Sequence, residues 1–182
     1  EAAQTICQLL RTRLPKYLRF PEDKWRSEAV RTIQVLTPTK KGDCGAINLN
    51  QLLQAALNPE RPGQDSIAHG DTEFRVGDKV IQTKNDYQLE YKRRTQFGWE
   101  DGTGVFNGDV GFIERIDHIG GKIVVRFDDR TATYATDDAL QLEHAYAVTV
   151  HKSQGSEFNA VIIPMCPGPQ QLQYRSLLYT AV

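Results

Sequence analysis

Three cysteines and one methionine in 182 residues leave little room for sulfur chemistry. Cys7, Cys44 and Cys166 are odd in number and far apart, with no Cys-x-x-Cys and no Cys/His spacing of the zinc type. A zinc ribbon and a disulfide-dense scaffold are excluded, and reduced thiols in a cytoplasmic setting are expected. No apolar run is long enough to cross a bilayer, so no membrane partner is expected, and no signal-peptide pattern opens the chain. An excess of one charge is missing too. The net charge is −1, so global electrostatics make no case for a nucleic-acid partner. A G-x-x-x-x-G-K-[ST] phosphate loop is absent, as are a G-x-S-x-G nucleophile elbow and any aspartate-rich metal cluster. The chain alone thus lacks a complete nucleotide cradle, a serine-hydrolase site and an expected metal site.

What is present begins with helical grammar. Ile6, Leu9, Leu10 and Leu14 recur at helical spacing over Ala2 to Leu14, and Pro15 follows. Trp25 to Arg31 reads as a link. Basic residues outnumber acids from Arg11 to Lys41, which a solvated face or a polyanion site would equally explain. "TIQVLTP", Thr32 to Pro38, reads as a buried strand, "TKKGDCG" as a turn, and Ala46 to Pro59 as an amphipathic helix. Arg61 to His69 reads as a polar loop.

From Phe74 the pattern shortens to alternating segments, "RVGDKVIQT", "GVFNGDVGFIERID", "KIVVRFDD" and "ATYAT", punctuated by Gly-Asp and Gly-Gly. That is the grammar of a small antiparallel barrel or meander, ending near Leu142. α/β grammar then returns, with a helix expected from about Gln170. The expected fold class is α/β, interrupted by an all-β insert. The expected division is 1–73, 74–142 and 143–182. The chain starts at Glu1 and stops in mid-pattern at "LLYTAV", so a piece cut from a longer protein is expected.

The most informative stretch is "AYAVTVHKSQGSEFNAVIIP", Ala145 to Pro164. Two β-branched runs flank a polar knot. Each run reads as a buried strand of a parallel sheet, and open α/β sheets bind ligands at strand ends. Thr149 and His151 bracket Val150, so both can point to one side. Hydroxyl and imidazole groups suit a phosphate or sugar. Gly155 permits a close backbone approach. Glu157, acceptor-only when ionised, suits a hydroxyl pair such as a ribose. A plain polar loop between two strands is the alternative on the chemistry alone.

The knot, with its strands, resembles the fifth motif of superfamily-one DNA helicases, a strand followed by T-x-H-K-S-Q-G-x-E and another strand. "LLYTAV" resembles the start of the sixth motif. "VLTPTKKGDCGAINLNQLLQAALNP" resembles the fourth-motif region of the RecD/TraA branch. "FRVGDKVIQTKNDY" with "GVFNGDVGFI" resembles that branch's insert. Four blocks in order cover most of residues 32 to 182. The resemblance implies a partial second RecA-like motor domain of the P-loop NTPase type, carrying an SH3-like barrel. It implies an ATP-dependent DNA helicase that uses ATP and magnesium and moves 5′ to 3′ on single-stranded DNA, opening duplex junctions in repair or recombination. The first motor domain would be supplied in cis, and exodeoxyribonuclease V subunits are possible partners.

Carried over position by position, Gly155 and Glu157 face the nucleotide, with Glu157 on the ribose. Thr149 and His151 touch the strand backbone. Lys152, Ser153 and Gln154 link the two ligands, Lys152 and Ser153 on the DNA side and Gln154 on the nucleotide side. Lys41, or its neighbour Lys40, reaches the γ-phosphate, where related helicases use arginine. A lysine is a point charge without that fork. Thr180 opens the sixth motif. In the insert, Tyr87, Tyr91, Phe97, Trp99 and Phe106 are candidate stacking surfaces, with Lys84, Lys92, Arg93 and Arg94 beside them. Phe106 and Tyr91 are alternatively core. A rival reading makes the chain an adaptor that binds nucleic acid or protein without an ATP site.

Overall fold

The computed structural model describes residues 2–154 and 156–164. In chain order the elements are α1 (Ala2–Tyr17), α2 (Trp25–Thr32), β1 (Ile33–Thr37), α3 (Ala46–Leu57), β2 (Ser66–His69), β3 (Thr72–Arg75), β4 (Lys79–Gln82), β5 (Asp86–Thr95), β6 (Gly98–Val105), β7 (Val110–Asp117), β8 (Lys122–Phe127) and β9 (Arg130–Ala135). A 3-10 turn (Thr136–Gln141), β10 (Leu142–His144), β11 (Ala147–Thr149), a second 3-10 turn (Val150–Ser153) and β12 (Ala160–Ile162) follow. The chain divides into two compact units, one from 1–59 with 146–182, the other from 60–145.

The first unit is built on a three-stranded parallel sheet in the order β11-β1-β12. β1 is central and buried at all five positions, as its unbroken run Ile-Gln-Val-Leu-Thr requires of a strand covered on both faces. Its register pairs Val35 with Ala147 and Thr37 with Thr149 on one side, and Ile33 with Ala160 on the other. α1 packs Ala3, Ile6 and Leu10, and α3 packs Leu49, Leu53 and Leu57, into this unit's core. α1 continues through Pro15 to Tyr17, past the expected end. Pro15 sits in the last turn and is buried, and Leu18 N–H and Phe20 N–H close the end on the carbonyls of Leu14 and Pro15. The expected link at 25–31 is instead a short helix that buries Ala29 and Val30. Eight residues are too few to display a helical period.

The second unit is a seven-stranded antiparallel sheet in the order β10-β4-β7-β8-β9-β5-β6, with a separate hairpin of β2 and β3. Its core gathers Phe74, Val80, Val105, Ile113, Ile116, Ile123, Val125, Phe127, Ala132, Tyr134, Ala139 and Leu142. Apart from Ala139, which lies in the first 3-10 turn, these are the inward positions of alternating strands. The expected loop at 61–69 is partly strand: β2 turns at Gly70, where φ is +58°, and pairs Ile67 with Phe74. The expected helix from Gln170 lies outside the described residues.

Candidate functional site

The Thr37–Thr149 register brings two loops to one end of the parallel sheet. The first, after β1, is wound tightly against α3. Thr37 is fully buried, and its hydroxyl donates to the Cys44 carbonyl at 2.5 Å. Gly45 N–H donates to Gly42 O at 2.9 Å, Ala46 N–H to Thr39 O at 3.0 Å and Ile47 N–H to Lys40 O at 3.2 Å. Asn48 Nδ2 donates to Asp43 O at 2.7 Å. Gly42 turns the chain with φ +95°. A Cβ at Gly45 would lie 2.4 Å from the Lys41 carbonyl carbon, so only glycine fits there. The first two N–H groups of α3, those of Ala46 and Ile47, are therefore satisfied by the loop's own carbonyls and are not free to cradle a phosphate. Lys40 and Lys41 are left as exposed side chains on a fixed turn.

Cys44 within this loop is disulfide-bonded, against the expectation of reduced thiols. Cys7 is free, and burial pushes its thiol upward despite nearby Arg11.

The second loop is the knot. β11 ends at Thr149 and the chain tightens into the 3-10 turn Val150–Ser153. The strand alternation used to place His151 beside Thr149 therefore stops one residue early. Val150 is buried, Thr149 is half-buried and His151 is exposed. Ser153 is buried, and its hydroxyl donates to Val150 O at 2.8 Å. Ser156 N–H donates to Ser153 O at 3.0 Å. Ser153 thus shapes the turn, while Gln154 and Glu157 are exposed and Lys152 is half-buried. Gly155 and Thr180 lie outside the described residues.

Sequence reading missed Asn50. On the buried side of α3, it donates to Ala147 O at 2.9 Å and accepts from Ala147 N–H at 2.8 Å. The signal was available as a polar residue set between Leu49 and Leu53 on the buried helix face, which also carries Gln54.

In the second unit the basic triplet is divided by strand alternation. The β5–β6 register sets Lys92 opposite Asp101, Arg93 opposite Glu100 and Arg94 opposite Trp99. Lys92, Arg94 and Trp99 share one face and Arg93 lies on the other. Arg93 pairs with Asp129 at 3.0 Å and sits over Tyr91, which Arg130 also approaches. Trp99 and Phe97 are largely exposed. Phe106 is also exposed, not core, and meets Tyr87 edge-on at 5.6 Å. Tyr91 is partly buried against the core. A groove of about 1170 Å³ runs along this unit, and its lining includes Lys92, Trp99, Lys122, Glu90, Asp101 and Glu114. Three carboxylates against two lysines make it a poor phosphate track.

No group of three or more His, Cys, Asp or Glu side chains suited to a cation occurs among the described residues. These residues therefore do not by themselves fit a magnesium ion. No described helix is long and apolar enough to cross a membrane.

Residues 49–127 match the family described as the ATP-dependent RecD-like DNA helicase SH3 domain, and residues 144–182 the UvrD-like helicase C-terminal domain. The ATP-dependent RecD2 DNA helicase of Deinococcus radiodurans is 35% identical over 150 residues, covering 82% of this chain and 18% of its own. The RecBCD enzyme subunit RecD of Mycobacterium tuberculosis is 30% identical over 149 residues, covering 82% of this chain and 22% of its own. A crystal structure of Bacteroides Pif1 bound to single-stranded DNA aligns with 84% of this chain and 37% of its own, at 17% identity and a TM-score of 0.43. The chain spans about a fifth of the length of the curated relatives it matches. Its fold is the expected mixed one, a partial RecA-like α/β domain interrupted by a small all-β SH3-like unit. By the two family matches and these relatives, the chain belongs to the RecD-like DNA helicases.

Proposed function

We propose that the chain is the distal motor segment of an ATP-dependent DNA helicase that moves 5′ to 3′ on single-stranded DNA and opens duplex junctions in repair or recombination. One observation carries this reading: the Thr37–Thr149 register sets the Lys40–Lys41 loop and the His151 turn side by side at one end of a parallel sheet. In this reading Lys40 and Lys41 meet the γ-phosphate of ATP, and Gln154, Gly155 and Glu157 meet the rest of the nucleotide. Thr149, His151 and Lys152 meet the strand backbone. Thr180 leads into the sixth motif. The loop carbonyls already occupy the first two N–H groups of α3. This side of the cleft then offers charge and not a backbone cradle. Bound ATP would supply the phosphate charge that these lysines meet, so that closure would follow binding and reopening would follow hydrolysis. Its main cradle and the magnesium belong to the missing motor domain in cis.

Ser153 acts here through the turn it closes, not by direct DNA contact. The SH3-like unit touches single-stranded DNA with Lys92, Arg94 and Trp99, while Arg93 holds the hairpin. Its acid-lined groove favours a second reading, in which that surface docks a protein such as an exodeoxyribonuclease V subunit.

The test is ATP turnover with and without single-stranded DNA, for the full-length protein and for residues 1–182 alone. The full-length protein is expected to show DNA-stimulated turnover and the isolated chain none. Turnover by the isolated chain, or none by the full-length protein, would overturn the proposal.

A further inference from the structure

Among the described residues β11 is an edge strand, with β1 on one side only. The outward N–H and C=O of Ala147 would need another strand or water. Asn50 takes both, at 2.8 and 2.9 Å, from the buried face of α3. A side-chain amide thus stands in for a neighbouring strand. Asn50 lies one helical turn after Ala46 and Ile47, whose N–H groups are held by Thr39 O and Lys40 O. The same turn therefore grips the lysine loop at one end and β11 at the other. A continuous path runs from the Lys40 carbonyl through Ile47, one rigid helical turn, Asn50 and Ala147 to Thr149. Each non-covalent link in it is a hydrogen bond of 3.2 Å or less.

We propose that Asn50 is a positioning residue that ties the Lys40–Lys41 loop to the strand leading into the His151 turn, so that nucleotide-driven movement of the loop reaches the DNA contacts. This rests on the helicase reading. Asn50 touches neither ligand. It sets where Thr149 and His151 stand relative to the lysines.

The experiment uses the full-length protein with ATP and a single-stranded oligonucleotide. It compares wild type, Asn50→Ala, Asn50→Asp and, as a matched control, Leu49→Ala. Leu49 is fully buried on the same helix and has no part in the path, so its truncation destabilises the same core. For Asn50→Ala the rate without DNA and the KM for ATP are expected to stay near wild type, while stimulation by DNA falls about tenfold. Leu49→Ala is expected to keep its stimulation. Should Asn50→Ala fail to fold, Asn50→Asp, which keeps the bond from Ala147 N–H and loses the donor, gives the same reading. Equal loss of stimulation in the Leu49 and Asn50 variants, or full stimulation in both Asn50 variants, overturns the proposal. A wild type without DNA stimulation overturns the helicase reading itself, and the inference with it.

Discussion

Gly45 shows how much a single position decides. Its missing Cβ lets the Lys40–Lys41 turn close on α3, where a methyl group would meet Lys41 backbone at 2.4 Å and Lys40 O at 2.8 Å. Gly45→Ala is expected to destabilise the fold by roughly 1–3 kcal/mol, read by denaturant titration. Gly42→Ala faces open space and is strained only by its positive φ, so it is expected to cost less. An order of effects in which Gly42→Ala costs more would contradict the packing described. Lys79 is a second decisive residue. Burial lowers its ammonium to about 8, with Asp128 opposing the shift. A folded pKa below the unfolded one means that the unfolded chain binds more protons between about 8 and 10.5. Stability should therefore rise with pH across that window. Lys79→Met is expected to stabilise the protein at pH 7, by up to about 3 kcal/mol, and the gain should shrink as pH passes 8 to 10. Thermal melts across that range would show it; a pH-independent gain would place the lysine charge outside the balance. Neither the Gly45 clash nor the Lys79 burial was legible in the sequence, since both depend on what packs opposite.

At the scale of elements, β1 and β11 were readable because a covered strand needs a largely apolar run; β12 was readable as a strand but is only partly covered, with Val161 exposed. α3 was readable by its period. The β5–β6 hairpin was not segmented, because "EYKRRTQFGWEDGT" is polar on both faces and is held by backbone pairing. The structure divides that charged run between two faces, Lys92 and Arg94 on one and Arg93 on the other. Lys92→Ala with Arg94→Ala is expected to weaken binding of a single-stranded oligonucleotide and lower the salt slope by up to about 2. Arg93→Ala is expected to leave the slope unchanged and to cost roughly 1 kcal/mol through the lost Asp129 pair and Tyr91 contact. Fluorescence anisotropy over a salt series separates them. A slope moved by Arg93 alone would reverse the assignment of faces, and one moved by neither would favour protein docking. The knot was legible as a motif, but not its geometry: the 3-10 turn ends strand alternation at Thr149 and turns Ser153 inward.

At the scale of the molecule, the composition of two grammars, parallel α/β and antiparallel meander, was visible in the sequence and is what the two units contain. Their limits were less visible. The expected insert ran from 74 to 142, whereas contacts assign 60–145 to the second unit. The β2–β3 hairpin joins it through Ile67 and Phe74, a pairing too short to read from alternation. The proposed function depends on the first unit serving as one side of a nucleotide cleft. The most direct test measures ATP turnover by the full-length protein with a single-stranded oligonucleotide, for wild type and for Lys40→Ala combined with Lys41→Ala. The account predicts DNA-stimulated turnover in wild type and its loss by about 100-fold in the double variant, with oligonucleotide binding retained. Wild-type turnover unaltered by removing both lysines would contradict it.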